Sequence, residues 1–114
     1  VSAFSPICSL HNSTFAKDMF SNYLDNNLDE LNTYDPLTLI KNSKKKFESI
    51  KIDVGLSDDF LKDLYIDDFI KVCDETGQKL LVAKHPGYDH GYYFINSFIE
   101  DHINYHVSIL KNID

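Results

Sequence analysis

A chain of 114 residues, 43% hydrophobic and 25% charged, is long enough for one globular unit with a modest core. Its formal charge of -7 makes nucleic acids and anionic membrane surfaces poor partners, because both are negatively charged. No apolar run approaches the ~20 residues of a membrane span, and no signal peptide is recognisable. The two cysteines, Cys8 and Cys73, are too few for a disulfide scaffold or a structural zinc site, so a reduced, cytoplasmic setting is expected.

The first half of the chain predicts two strands separated by two helices. The predicted elements are a strand over residues 1–7, a helix over residues 15–24, a helix over residues 36–43 and a strand over residues 47–54. Asp35 followed by Pro36 is typical of a helix start, because aspartate caps the free N–H groups and proline suits the first helical position. Since the chain opens inside a predicted strand, we expect it to be part of something longer.

The second half continues the alternation of helix and strand. The predicted elements are a helix from about residue 67 that ends at Gly77, a strand over residues 79–84, and a long helix from about residue 93 almost to the C-terminus. Strands that alternate with helices form a parallel sheet joined by right-handed crossovers. The predicted fold class is therefore α/β, in a single domain over residues 1–114.

Acidic and imidazole side chains follow two of the predicted strands. They are Asp53, Asp58 and Asp59 after the second strand, and His85, Asp89 and His90 after the third. Ligands bind beyond the carboxyl ends of parallel strands, and consecutive strands commonly pair, so an aspartate and a histidine could meet at this edge. Such a pair is typical of the acid and base of a nucleophilic triad. The alternative is that both loops are solvated turns with acidic caps.

Two other kinds of site are weighed and rejected. His102 and His106 stand four residues apart, as in an HExxH zinc helix, but Ile103 occupies the glutamate position, so no metal or cofactor is expected. A serine nucleophile elbow has the pattern G-x-S-x-G. Gly87 and Gly91 have the required separation, but the residue midway between them is an aspartate. The 114 residues therefore contain no nucleophile elbow.

Five segments of the chain resemble the C-terminal part of the S-formylglutathione hydrolase family, also called esterase D. They are VSAFSPIC at residues 1–8, AKDMFSNYL at 16–24, IDVGLSDDFL at 52–61, GYDHGYYFI at 87–95 and FIEDHI at 98–103. The resemblance runs from the first residue to the last predicted helix. Several segments agree in the right order, which makes the resemblance specific.

The resemblance implies the C-terminal part of an α/β-hydrolase fold, with about three parallel strands and their flanking helices. It implies a serine esterase that hydrolyses S-formylglutathione to formate and glutathione in formaldehyde detoxification. The partner that it implies for the full-length enzyme is a small glutathione thioester or acyl ester. His90 matches the catalytic histidine and Asp58 the triad aspartate, with Asp59 as the alternative if the loop register slips by one. The family's serine and oxyanion loops precede the matched segments, so the chain alone is expected to be inactive.

The chain departs from the family pattern beside both site residues. Gly91 stands where the family usually has serine, and Val54 where it has glutamine, which is expected to alter the surroundings of the histidine. Asp89 is expected to be a hydrogen-bond acceptor within its loop and not a triad member. A second hypothesis, of another class, is a non-catalytic module that self-associates through residues 1–7 or pairs with a separate N-terminal half.

Overall fold

A computed structural model describes residues 1–23, 28–44 and 46–111. Its elements, in chain order, are β1 (Ser2–Phe4), α1 (Thr14–Tyr23), α2 (Leu28–Asn32), α3 (Pro36–Asn42), β2 (Ile50–Gly55), α4 (Leu61–Leu64), α5 (Ile66–Thr76), β3 (Leu80–His85) and α6 (Tyr92–Lys111). The strands form one parallel sheet in the order β1-β2-β3. Helices connect the successive strands, so the predicted α/β class is confirmed.

The central strand β2 pairs with both β1 and β3 and so fixes how their ends are aligned. Its register pairs Phe4 with Asp53 on one side and Gly55 with His85 on the other. Because all three strands run in the same direction, their carboxyl ends reach the same edge of the sheet. The segments after β1, β2 and β3 therefore leave the sheet side by side at this carboxyl edge.

Both faces of β2 are covered by helices, because successive residues of a strand point to opposite faces. Ile50, Ile52 and Val54 point to one face and are at most 6% exposed. They join an apolar core that also contains Cys8, Ile40, Leu64, Ile66, Phe69 and Cys73. Asp53 points to the other face, where it meets α6 through His102. Burial of each large apolar side chain contributes roughly 1.5–3 kcal/mol to folding, so this core is the main stabilising feature.

The observed elements differ from the predicted ones mostly at their ends. β1 stops at Phe4 because Ser5 has a φ of 48°, in the left-handed region, which ends the extended backbone. β2 begins at Ile50 instead of residue 47, and β3 lies one residue later than predicted. The short helices α2 and α4 were not predicted, since four or five residues are too few to display a helical period. The predicted end of the first helix, Leu24, lies outside the described residues.

The capping predicted for α3 is confirmed. Asp35 is 1% exposed and its Oδ2 accepts hydrogen bonds from the Thr38 backbone N–H at 3.0 Å and the Thr38 hydroxyl at 2.6 Å. The end predicted for α5 is also confirmed, because Gly77 follows Thr76 with a left-handed φ of 77°. Each of these signals involves only residues that lie within a few positions of one another along the chain, so each can be recognised without knowledge of tertiary structure.

A long-range contact holds the N-terminus of α1 against α4. The Ser13 hydroxyl accepts from the Ala16 N–H at 3.2 Å and donates to Asp63 Oδ2 at 2.7 Å. The Asp63 carboxylate also accepts from the backbone N–H groups of Thr14 and Phe15. These hydrogen bonds, that from Ser13 first, lower the pKa of Asp63 to about 2. Its negative charge lies where the helix dipole is positive.

Both cysteines are buried free thiols. Burial, and then the nearby Cys73 and Asp35, raise the pKa of the Cys8 thiol to about 12, so it stays protonated and unreactive at neutral pH. Among the helices in the described ranges, none has both the length and the apolar character needed to cross a membrane.

Candidate active site

Asp58 and His90 form a hydrogen-bonded pair at the carboxyl edge of the sheet. The distance from Asp58 Oδ2 to His90 Nδ1 is 2.7 Å. The Asp58 side chain is fully buried, whereas the His90 side chain is 45% exposed. The other carboxylate oxygen, Oδ1, accepts the backbone N–H of Phe60 at 2.8 Å. The aspartate is therefore held rigidly, and the imidazole reaches from it toward solvent.

The two loops that carry this pair are joined by backbone contacts. The N–H of Leu56 donates to the carbonyl oxygen of His85 at 3.0 Å, and the N–H of Ser57 donates to that of Tyr88 at 2.9 Å. Gly55 permits this close approach, because an ideally placed β-carbon there would lie 2.2 Å from the Tyr88 carbonyl oxygen. The absence of a side chain at Gly55 thus allows the His90 loop to pack on the end of β2.

The free side of the His90 ring faces a small pocket. The pocket has a volume of about 200 Å³. Its other lining residues are mainly apolar: Ser5, Ile7, Phe15, Phe60, Asp63 and Leu64. The Phe60 ring meets the His90 ring edge to face, with centroids 5.5 Å apart. Nδ1 is bound to Asp58, and no hydrogen-bond partner of Nε2 lies among the residues that the structure describes. Nε2 is therefore the ring atom that can exchange a proton with a group in the pocket.

Ser5 lies in the same pocket and carries two unfavourable features. Its backbone is left-handed, which costs a non-glycine residue of the order of 1 kcal/mol. Its hydroxyl is the one buried side-chain polar group without a hydrogen-bond partner in the described part of the chain. Strained backbone and unpaired polar groups are concentrated at functional sites, so Ser5 marks this end of β1 as part of the site.

Comparison with known proteins identifies the family and the fold of this chain. A family sequence model described as "Putative esterase" matches residues 1–105. The chain belongs to this esterase family. It is similar in structure to an S-formylglutathione hydrolase from Agrobacterium tumefaciens, with a TM-score of 0.87 and 30% sequence identity. The match covers 94% of this chain and 39% of that chain. The resemblance and the α/β-hydrolase fold expected from the sequence are confirmed.

The other residues of this esterase chain that were expected at or beside the site are not hydrogen-bonded to His90. Asp58, and not the neighbouring Asp59, contacts His90, while Asp59 is exposed. Asp89 Oδ1 accepts the backbone N–H of Gly91 at 2.9 Å, as expected for an acceptor within its own loop. A β-carbon on Gly91 would lie 2.9 Å from that same oxygen, so a serine there would require the Asp89 side chain to move. Val54 is fully buried in the apolar core and faces away from α6.

A second cluster of acid and imidazole groups lies deeper in the esterase fold. Asp53 Oδ1 is 2.6 Å from His85 Nε2, and Asp53 Oδ2 is 2.6 Å from His102 Nε2 and 3.1 Å from Lys51 Nζ. Burial alone raises the pKa of the Asp53 carboxyl, but the hydrogen bonds from His85, Lys51 and His102 outweigh it, so the pKa lies below its ordinary value of 3.8. Because a carboxylate can only accept, both imidazoles donate Nε2–H to it.

The sequence does not predict that Asp53, His85 and His102 form one cluster. The sequence places Asp53 and His85 near the predicted carboxyl edge, whereas the spacing of His102 and His106 indicates only a shared helix face. In the structure His106 Nε2 is instead 2.8 Å from the Ser2 hydroxyl. No group of three or more histidine, cysteine or acidic side chains in the described ranges is arranged to hold a metal ion.

Proposed function

We propose that this chain supplies the acid and the base of a serine esterase that hydrolyses S-formylglutathione to formate and glutathione, a step of formaldehyde detoxification. The observation that carries the proposal is the 2.7 Å hydrogen bond between buried Asp58 and the half-exposed imidazole of His90. The esterase family and the similarity to the Agrobacterium tumefaciens hydrolase support the substrate class.

In the proposed reaction the nucleophile is a serine from outside these 114 residues. His90 Nε2 takes the proton of the serine hydroxyl as this oxygen attacks the formyl carbon, and then gives it to the departing glutathione sulfur. Asp58 keeps the other proton on Nδ1, which leaves the Nε2 lone pair available, and stabilises the imidazolium. His90 then takes a proton from the water that releases formate and returns it to the serine.

The pocket beside His90 suits a small acyl group. A space of about 200 Å³ accommodates a formyl or acetyl group. Its walls of Ile7, Phe60 and Leu64 favour apolar or weakly polar groups. The glutathione part of the substrate would lie outside this space.

The test uses a chimera in which this chain replaces the matching segment of the Agrobacterium tumefaciens hydrolase. We expect the chimera to hydrolyse S-formylglutathione. Asp58→Asn should lower its kcat about 10⁴-fold, because the imidazole then adopts the wrong tautomer. His90→Ala should remove the base and cause a comparable loss. Asp59→Asn is the matched control, and it should change kcat by no more than about threefold since Asp59 is exposed. Equal losses for Asp58→Asn and Asp59→Asn would contradict the proposal.

The same proposal predicts that the 114-residue chain alone does not hydrolyse S-formylglutathione. The chain has no G-x-S-x-G segment, and no serine hydroxyl among the described residues is hydrogen-bonded to His90. Release of glutathione thiol above the buffer rate by the purified chain, abolished by His90→Ala, would show that a nucleophile is present after all.

A second candidate function is a non-catalytic module that works by pairing. β1 lies at the edge of the sheet and pairs only with β2 in the described part of the chain. The accessible surface of 7652 Å² also exceeds the roughly 6,400 Å² typical of a compact monomer of 13.2 kDa. Light scattering over a concentration series should then give a mass above 13.2 kDa. A monomer at all concentrations that unfolds in one sharp transition argues against pairing.

We extend the proposal to a cytoplasmic location. Both cysteines are unpaired and buried in the core, which fits a compartment that keeps thiols reduced. The proposed substrate also contains glutathione, the thiol that maintains such a compartment.

A further inference from the structure

One buried carboxylate is bound to both sides of the loop that carries His90. This loop, residues 86–91, connects the end of β3 with the start of α6. Asp53 Oδ1 binds His85, the last residue of β3, and Asp53 Oδ2 binds His102, in the middle of α6. Asp53 is 2% exposed, so water does not compete for these hydrogen bonds.

Ring stacking fixes the orientation of both imidazoles. The His85 ring stacks on Phe98 with centroids 3.8 Å apart, and the His102 ring stacks on Phe4 with centroids 3.9 Å apart. Phe94, at the N-terminal end of α6, contacts the rings of both Phe4 and Phe98. α6 is therefore attached to all three strands, with the carboxylate of Asp53 at the centre of the contact.

The two acid–imidazole pairs have matching positions in the sheet. Asp53 precedes Asp58 by five residues, and His85 precedes His90 by five, so both pairs are separated by 32 positions. The inner pair joins β2 to β3 within the sheet, and the outer pair joins the loops that follow. A shift of His85 relative to Asp53 would be carried through residues 86–91 to His90.

We propose that Asp53 is a positioning residue for the Asp58–His90 pair. Through its hydrogen bonds to His85 and His102 it sets the distance between the ends of the His90 loop and so keeps Nδ1 in reach of Asp58. The inference rests on the proposed function only for the role of that pair in catalysis. The charged group that faces Asp53 from its own strand is Lys51, which binds Oδ2 and leaves Oδ1 to His85.

The experiment compares His85→Leu with His85→Gln in the 114-residue chain. Glutamine places an N–H donor near the position of Nε2 and can keep the bond to Asp53, whereas leucine has a similar size and no donor. The readout is solvent exchange of the His90 Nδ1–H, followed as the NMR signal that Asp58→Asn removes. We expect about tenfold faster exchange in His85→Leu and exchange within about threefold of the parent in His85→Gln, since a hydrogen bond to a carboxylate contributes that order of stabilisation.

The outcomes separate positioning from ordinary packing. Equal exchange in the parent and His85→Leu overturns the proposal, and so does equally fast exchange in both variants, because the ring and not the hydrogen bond would then matter. The side chain of His85 is 21% exposed, so the leucine should be tolerated. If His85→Leu does not fold, His102→Leu and His102→Gln are compared in the same way, which tests the hydrogen bond between Asp53 and α6. Exchange reports on the contact itself, so its result is independent of whether S-formylglutathione is the substrate.

Discussion

Replacing Gly55 by alanine is expected to separate Asp58 from His90. The new β-carbon would lie 2.2 Å from the carbonyl oxygen of Tyr88 and 2.9 Å from that of Asp89. Both are backbone atoms, so relief of the clash requires the whole His90 loop to move away from the end of β2. The hydrogen bond from Ser57 N–H to Tyr88 would lengthen with it.

We expect Gly55→Ala to lower the free energy of unfolding by about 3 kcal/mol, at the upper end of the cost of overpacking, and to remove the NMR signal of the His90 Nδ1–H. Urea unfolding and proton NMR measure the two effects. Gly77→Ala is the matched control: φ is 77° but no atom beyond those of its chain neighbours lies within 4 Å of the added carbon, so only backbone strain of about 1 kcal/mol is expected. A Gly55→Ala protein that keeps the His90 signal would mean that the two loops adjust independently.

Replacing Asp53 by asparagine is expected to be the most damaging change on the α6 side of the sheet. Asparagine keeps one acceptor oxygen but presents an N–H₂ group where the carboxylate accepted a second imidazole N–H. It also leaves Lys51 beside the cluster without the neutralising charge. Removal of one partner from a buried ionic cluster costs about 3 kcal/mol in free energy of unfolding.

The effect of Asp53→Asn should depend on pH in a defined direction. The pKa of Asp53 in the folded protein lies below its ordinary value of 3.8, so the folded state favours the ionised form. The resulting stabilisation is complete above pH 3.8 and is lost as the pH falls through the lower, folded-state pKa. The stability difference between the parent and Asp53→Asn should therefore have its full size above about pH 4 and shrink below it.

Urea unfolding of both proteins at a series of pH values from 3 to 7 measures this difference. Asp63, whose pKa is also lowered, is present in both proteins, so its contribution cancels. Asp59→Asn serves as the control, since Asp59 is exposed and its replacement should change stability by less than about 0.5 kcal/mol at any pH. A difference that stays constant down to pH 3 would show that the carboxylate charge of Asp53 is not what stabilises α6.

Much of the fold could be predicted from the sequence because its signals are local. Asp35 and Pro36 start α3, Gly77 ends α5, and the alternating apolar residues of β2 predict a buried strand. The alternation of strands and helices then predicts a parallel sheet. Since the carboxyl ends of parallel strands share an edge, a meeting of an aspartate and a histidine could also be anticipated there, and Asp58 and His90 do meet.

Other features could not be predicted because they depend on the relative placement of distant elements. Asp53 and His102 are 49 positions apart, and their contact depends on how α6 crosses the sheet. The spacing of His102 and His106 indicates a shared helix face but not what covers it. The short β1 follows from the backbone conformation of Ser5, and nothing in residues 1–7 requires a left-handed φ at that position.

The equal spacing of the two acid–imidazole pairs has a practical consequence. Both pairs bridge a single crossover, that of α4 and α5, since the two aspartates precede these helices and the two histidines follow them. The exposed turn at Gly77 is therefore a suitable place to open the polypeptide, either to insert a reporter peptide or to produce the chain as two complementary pieces. Each piece would carry one member of each pair, so reassembly itself would restore the site.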